Sequence, residues 1–145
     1  MARTYTVSRN NVTPVVTNDL MTLIAPANKA IRIKRIRVSG EAGASTVMRT
    51  VLQRSTGGVT PGGALTPEKA NTSDPAASSV IDTTWGTQPT LSGAPIYNEG
   101  WNAFGVGFDL TLDGREIYLV NSEQLSIRNT VGTGVLDIEV EFEEL

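Results

Sequence analysis

The stretch Leu136 to Glu143, L-D-I-E-V-E-F-E, alternates apolar and acidic side chains without a break. A period of two marks a strand with one buried face, because successive side chains of an extended chain point to opposite sides. Leu136, Ile138, Val140 and Phe142 are thus expected to face a core, and Asp137, Glu139, Glu141 and Glu143 to face water. Ala30 to Ser39 nearly matches this pattern. Ile31 and Ile33 share one parity, while Ile36 and Val38 share the other. One residue must be absorbed between the two pairs, which predicts a β-bulge at Lys34-Arg35.

Antiparallel pairing of these two stretches satisfies both faces at once. It sets Ile31 against Phe142, Ile33 against Val140, Ile36 against Ile138 and Val38 against Leu136. The same register sets Arg32 against Glu141, Lys34 and Arg35 together against Glu139, and Arg37 against Asp137. Each buried apolar side chain stabilises by roughly 1.5 to 3 kcal/mol. Exposed ion pairs contribute far less, so the charges chiefly specify register. Thr46 to Arg54 and the strand at Leu125 are the other partners open to the acidic strand. The pairing also accounts for an uneven charge distribution. Met1 to Arg54 carries nine basic residues against two acids, or +7, and the rest of the chain three against thirteen, or −10, for a net charge of −3.

At 145 residues the chain is one domain long. Gly, Pro, Thr and Ser supply about a third of it, a mixture that favours strands and turns over helices. Further short strands are expected at Leu20 to Ile24, Thr46 to Arg54, Val80 to Trp85, Arg115 to Val120 and Leu125 to Asn129. Ser55 to Ser79, rich in Gly and Pro, reads as one long surface loop. Residues 1–19 are broken by Pro14 and read as an N-terminal arm or edge strand, with Arg3 and Arg9 available to a neighbouring subunit. Residues 20–145 then form the main domain. The expected fold is all-β, a single antiparallel β-sandwich of jelly-roll type with a long Gly/Pro-rich loop.

Neither Cys nor His occurs, which removes thiol nucleophiles, Ser/His/Asp triads, imidazole bases, disulfides and the common zinc sites. No pair of carboxylates is singled out for acid–base work. GGVTPGG lacks the Lys-Ser/Thr of a phosphate loop, and Asp109 and Asp113 lack the spacing of a calcium loop. Asp113-Gly114 reads instead as a hairpin turn. No catalytic residue, cofactor or metal is therefore expected. MARTYTVSRNN has no apolar leader core and no run approaches a membrane span, so no membrane partner is expected either. The cluster Arg32, Lys34, Arg35 and Arg37 is a nucleic-acid patch only if its field is unopposed, and the acids set against it argue otherwise. Trp85, Tyr97 and Trp101 suit three roles: filling one end of the core, an oligomer interface, or a flat platform for a sugar.

R-S-T-G-G-V-T-P-G-G-A-L-T-P-E-K-A-N-T-S-D-P-A-A at Arg54 to Ala77, N-E-G-W-N at Asn98 to Asn102 and I-E-V-E-F-E-E at Ile138 to Glu144 resemble small jelly-roll proteins of tailed bacteriophages, some of them capsid decoration or cement proteins. The resemblance runs from about Ala30 onward and rests on loop and strand signatures. It implies a virion structural protein, made in the host cytoplasm, that sits as a homotrimer on the outside of an icosahedral head. There it would bind the major capsid protein and stabilise the mature shell. The alternative is a carbohydrate- or receptor-binding β-sandwich module associated with a fibre or tail.

Overall fold

A computed structural model describes residues 2–145, and every regular element among them is a strand. The first four are long: β1 (Arg3–Val12), β2 (Asp19–Ile24), β3 (Ile31–Gly40) and β4 (Val47–Thr56). Five short ones follow: β5 (Val59–Gly62), β6 (Glu68–Lys69), β7 (Val80–Asp82), β8 (Thr84–Thr87) and β9 (Thr90–Leu91). The rest are β10 (Tyr97–Asn102), β11 (Phe108–Thr111), β12 (Ile117–Leu119), β13 (Gln124–Val131) and β14 (Leu136–Glu144). All pairings are antiparallel. One sheet runs β11-β3-β14-β1-β6, with β12 also on β3; the other runs β10-β4-β13-β2-β7, with β9 also on β4; β5 and β8 make a separate ribbon. The two sheets face each other as a sandwich over one apolar core.

The acidic strand behaves as its alternation requires. Leu136, Ile138, Val140 and Phe142 are buried in the core, while the carboxylates between them are half-buried on the outer face. Glu144 continues the inward row and is itself buried. β14 pairs with β3, and the ladder slips by one residue between Ile33 and Arg35, leaving Lys34 with no residue opposite it. The register differs from the sequence expectation by two residues. Phe142 lies opposite Ile33, Val140 opposite Ile36 and Ile138 opposite Val38. A two-residue slide returns every side chain to its own face, so alternation alone cannot select between these registers.

Two further expectations are corrected. Of the two readings of the N-terminal stretch, the strand applies and the free arm does not: β1 lies along the other flank of β14, with Tyr5 opposite Phe142 and Val7 opposite Val140. Tyr5, Val7 and Val12 are core residues, and the Tyr5 ring stacks on Phe142 at 5.7 Å. Only Tyr5 and Thr6 have a partner strand on the far side, the short β6, so β1 is close to an edge. The second correction concerns Asp113-Gly114, which does not join a hairpin. β11 and β12 run along β3 as two pieces of one edge strand, opposite Arg35–Val38 and Ile31–Ile33 respectively. The turn between them loops out where β3 bulges, with Leu112 N–H donating to the Lys34 carbonyl at 2.8 Å. Gly114 takes the left-handed φ of 75° that such a turn needs.

The stretch expected as one loop from Ser55 to Ser79 contains β5 and β6. β5 joins β8 in the ribbon, and β6 joins β1.

Candidate functional site

The basic row on β3 is neutralised, though not by the partners expected. Arg32 bonds Glu143; Lys34 lies 3.2 Å from Glu116 and 3.8 Å from Asp113; Arg35 bonds Asp109; and Arg37 lies 3.1 Å from Glu139. Glu141 sits opposite Arg35 in the ladder. Asp137 instead accepts the Asn11 N–H at 2.8 Å and neighbours Glu41. Its hydrogen bond, and then its charge, raise the Glu41 carboxyl above its ordinary pKa. With the two-residue change of register, each cation on this row meets a different acid from the one expected.

Tyr97, Trp101 and Trp85 do not form one group. Tyr97 and Trp101 lie on β10, opposite the core residues Leu52 and Met48, and both pack on Phe108 of the facing sheet, at 6.4 and 6.2 Å between ring centres. They close the β10/β11 side of the sandwich. The Trp101 indole N–H donates to Thr50 Oγ1 at 2.9 Å, so its polar edge is satisfied inside the molecule. Trp85 belongs to the ribbon on the opposite side of the same sheet, near β2 and β7. Its indole N–H donates to Thr22 Oγ1 at 3.0 Å. A Cβ on Gly58 would sit 2.6 Å from its ring, so glycine there lets β5 approach the indole closely.

Arg3 and Arg9, expected to be available to a neighbouring subunit, both meet groups of the domain itself. Arg3 lies 3.9 Å from Asp74. Arg9 continues the inward row of Tyr5 and Val7, opposite Ile138. Its guanidinium crosses to the other sheet and donates to the Leu20 carbonyl at 2.7 Å. Beyond it a bulge carries Asn11 at a left-handed φ of 53° and returns Val12 to the core face. Arg9 and Trp85 thus line a common cleft of about 310 Å³, between β1 and the ribbon, with Pro14, Asn18, Thr84 and Gln88.

Three buried carboxylates, Asp19, Asp82 and Glu144, were not singled out from sequence, and burial raises the Asp82 carboxyl above its ordinary pKa. Asp19 Oδ1 accepts from Arg128 Nε at 2.9 Å and from a terminal guanidinium nitrogen at 2.7 Å; Asp19 Oδ2 lies 2.5 Å from the Thr22 and Ser126 hydroxyls. Ser126 Oγ is also 2.8 Å from Ser55 Oγ. This cluster gathers Ser and Asp as a hydrolase would, but Ser126 is fully buried and its hydroxyl cannot meet a substrate. It ties β2, β4 and β13 together beneath the ribbon. No sequence signal marks Asp19, because two of its partners, Ser126 and Arg128, lie 107 and 109 residues away.

Glu144 Oε1 accepts from Ser78 N at 2.6 Å and from Ser79 N and Oγ at 2.7 Å, and Lys29 Nζ lies 3.4 Å from Oε2. Burial by itself would raise the carboxyl pKa, but the Ser79 and Ser78 donors and Lys29 outweigh it and hold it below its ordinary value. The available signal was parity: Glu144 is the next inward position after Phe142.

Comparison with protein-family models, curated proteins and solved structures finds no match to this chain.

Proposed function

We propose that this chain is a non-catalytic jelly-roll protein that works by binding protein surfaces, as a virion decoration protein seated on the major capsid protein of a phage head. The jelly-roll reading is supported by strand order. Taking β11 and β12 as one interrupted strand, the long strands alternate between sheets in chain order except at the middle, where β4 and β10 are neighbours in one sheet, and β14 lies between β1 and β3 as β13 lies between β2 and β4. Two interleaved four-stranded Greek keys have this arrangement. The binding reading is carried by the loop after β10, where Phe104 is 60% and Val106 94% exposed.

That loop is exposed but anchored. Ala103 is fully buried, its N–H donates to the Thr46 carbonyl at 2.9 Å, and its carbonyl accepts the Ala42 N–H at 3.0 Å. The Phe104 N–H donates to Asn102 Oδ1 at 2.9 Å. Val47, 70% exposed, lies opposite Asn102 at the same end of the sandwich. Large apolar side chains presented on a fixed backbone bind with little ordering cost. Contacts available only on the mature lattice add their free energy to that state.

The test is co-sedimentation with mature heads of the phage whose genome carries the chain, alongside the molar mass in solution. Retention on heads, its loss in the Phe104→Ser, Val106→Ser double variant with an unchanged melting profile, and a mass near three times 15.4 kDa are the expected results. Absence of retention, or full retention by the double variant, overturns the proposal. Truncation of residues 1–19 is unsuitable here, since it removes a core strand.

A further inference from the structure

Arg9 is an anomaly in its row. Tyr5 and Val7 precede it on the inward face of β1, and the residue opposite it, Ile138, is buried. An inward cation costs free energy unless a carboxylate compensates it. Every ion pair among the described residues involves other cations, so none compensates Arg9. Asp19 lines the same cleft, but both of its oxygens are taken by Arg128, Thr22 and Ser126, and its side chain is sealed from solvent. The Leu20 carbonyl occupies one of the five guanidinium N–H groups. Among the described residues no buried side-chain nitrogen or oxygen lacks a partner, so the remaining donors of Arg9 are not sealed from solvent, and Arg9 lines the cleft.

The cleft supplies more than a cation. Trp85 forms part of its wall, and the amide groups of Asn18 and Gln88 and the Thr84 hydroxyl lie around it. Gln88 uses its oxygen to accept the Asp19 N–H at 2.9 Å, which leaves its amide N–H groups free to donate. Asn18 likewise accepts from Thr17 at 3.2 Å through its oxygen. One planar guanidinium with no second cation matches a carboxylate, which it bonds with two parallel N–H groups, rather than a dianionic phosphate. An indole wall with neutral donors around it matches the apolar face and hydroxyls of a pyranose ring.

A smaller cleft of about 150 Å³ sets Arg115, also in no ion pair among the described residues, beside Tyr97, but the rest of its lining, Ile96, Leu110, Leu112 and Ile117, is apolar and offers no side-chain donor for sugar hydroxyls. The one formed by Arg54, Ser92 and Glu123 is larger, at about 380 Å³, but Glu123 lies 3.3 Å from Arg54 and neutralises it.

We infer that the cleft between β1 and the ribbon is a binding site for a carboxylate-bearing sugar, its carboxylate on Arg9 and its ring against Trp85. The site lies on the β1/β2 side of the sandwich and does not depend on the Phe104 loop, so it stands or falls separately from shell binding. Burial lowers the Arg9 guanidinium pKa, and a carboxylate bound there would offset that desolvation.

The full chain, labelled with ¹⁵N, is titrated with galacturonic, glucuronic and N-acetylneuraminic acids. Galactose, acetate, inorganic phosphate and an oligogalacturonide form the comparison arms, the last distinguishing a polymeric from a free sugar acid. The two indole N–H signals serve as probe and internal control. A sugar acid is expected to move the Trp85 signal and leave that of Trp101, across the sandwich, in place. Galactose and acetate are expected to bind at least about tenfold more weakly, and Arg9→Gln to weaken the sugar acid by a similar factor. No response to any sugar acid, equal response to galactose, tighter binding of phosphate, or unchanged affinity in a folded Arg9→Gln variant overturns the inference. The wild-type titration needs no variant to fold.

Discussion

Glu144→Gln tests how the C-terminal strand is fastened. The carboxylate takes three short hydrogen bonds on one oxygen, from two backbone amides and a hydroxyl, with Lys29 at 3.4 Å from the other. Its side chain is only 2% exposed, so solvent screens these contacts little. A hydrogen bond to a charged group contributes roughly 1.5 to 3 kcal/mol and a neutral one about 0.5 to 1.5, so neutralising the acceptor loses about 1 kcal/mol per bond. Gln also turns an NH₂ toward the Lys29 ammonium, while its lower desolvation cost offsets part of the loss. The expected net destabilisation at pH 7 is about 2 to 3 kcal/mol. For a chain of this length that is a fall in Tm of about 6 to 12 °C.

The pH dependence gives the second half of that test. The folded-state carboxyl titrates below its ordinary value of 4.5. Its contribution is therefore complete above that value and fades as pH falls through the lower, folded one. Urea denaturation followed by tryptophan fluorescence, at steps from pH 7 to pH 3, should show wild type and variant far apart at neutral pH and converging in acid, with equal m-values. A gap under 0.5 kcal/mol at pH 7, or one that persists undiminished at pH 3, refutes the reasoning.

Asp19→Asn leaves Arg128, 12% exposed, without its counter-charge beneath the ribbon, and should cost about 3 to 5 kcal/mol in chemical denaturation. Adding Arg128→Met should recover part of that loss, and a double variant no more stable than the single one would count against the ion pair as its cause. Gly107→Ala places a Cβ 1.8 Å from the Val38 carbonyl oxygen, so β11 must move off β3. A loss of about 1 to 3 kcal/mol is expected in the same assay. Gly43→Ala, which meets nothing within 4 Å, serves as the control and should stay within about 0.5 kcal/mol of wild type.

Which side chains face inward was legible wherever alternation ran unbroken. Leu136 to Phe142 could be assigned from period two alone, and the change of parity between Ile33 and Ile36 marks the bulge that leaves Lys34 unpaired. The first strand was obscured for a local reason. Its inward row runs Tyr5, Val7 and then Arg9, and the bulge at Asn10-Asn11 breaks the alternation before Val12 restores it. A cation in an apolar row looks like the end of a strand, and here it marks the wall of a cleft.

Register, partner choice and site assembly were decided by the tertiary structure. Sliding β14 by two residues along β3 leaves every apolar residue on its face, so local pattern leaves these registers open. β1, docking on the other flank of β14, and the split edge strand β11/β12, fitted to the bulge on β3, belong to the arrangement that was selected. The Asp19 and Arg9 clusters join residues from distant strands and arise only when both sheets and the ribbon close. Alternation is a property of neighbouring residues and can be read from the chain, whereas a contact between residues a hundred positions apart depends on which whole arrangement of strands has the lowest free energy.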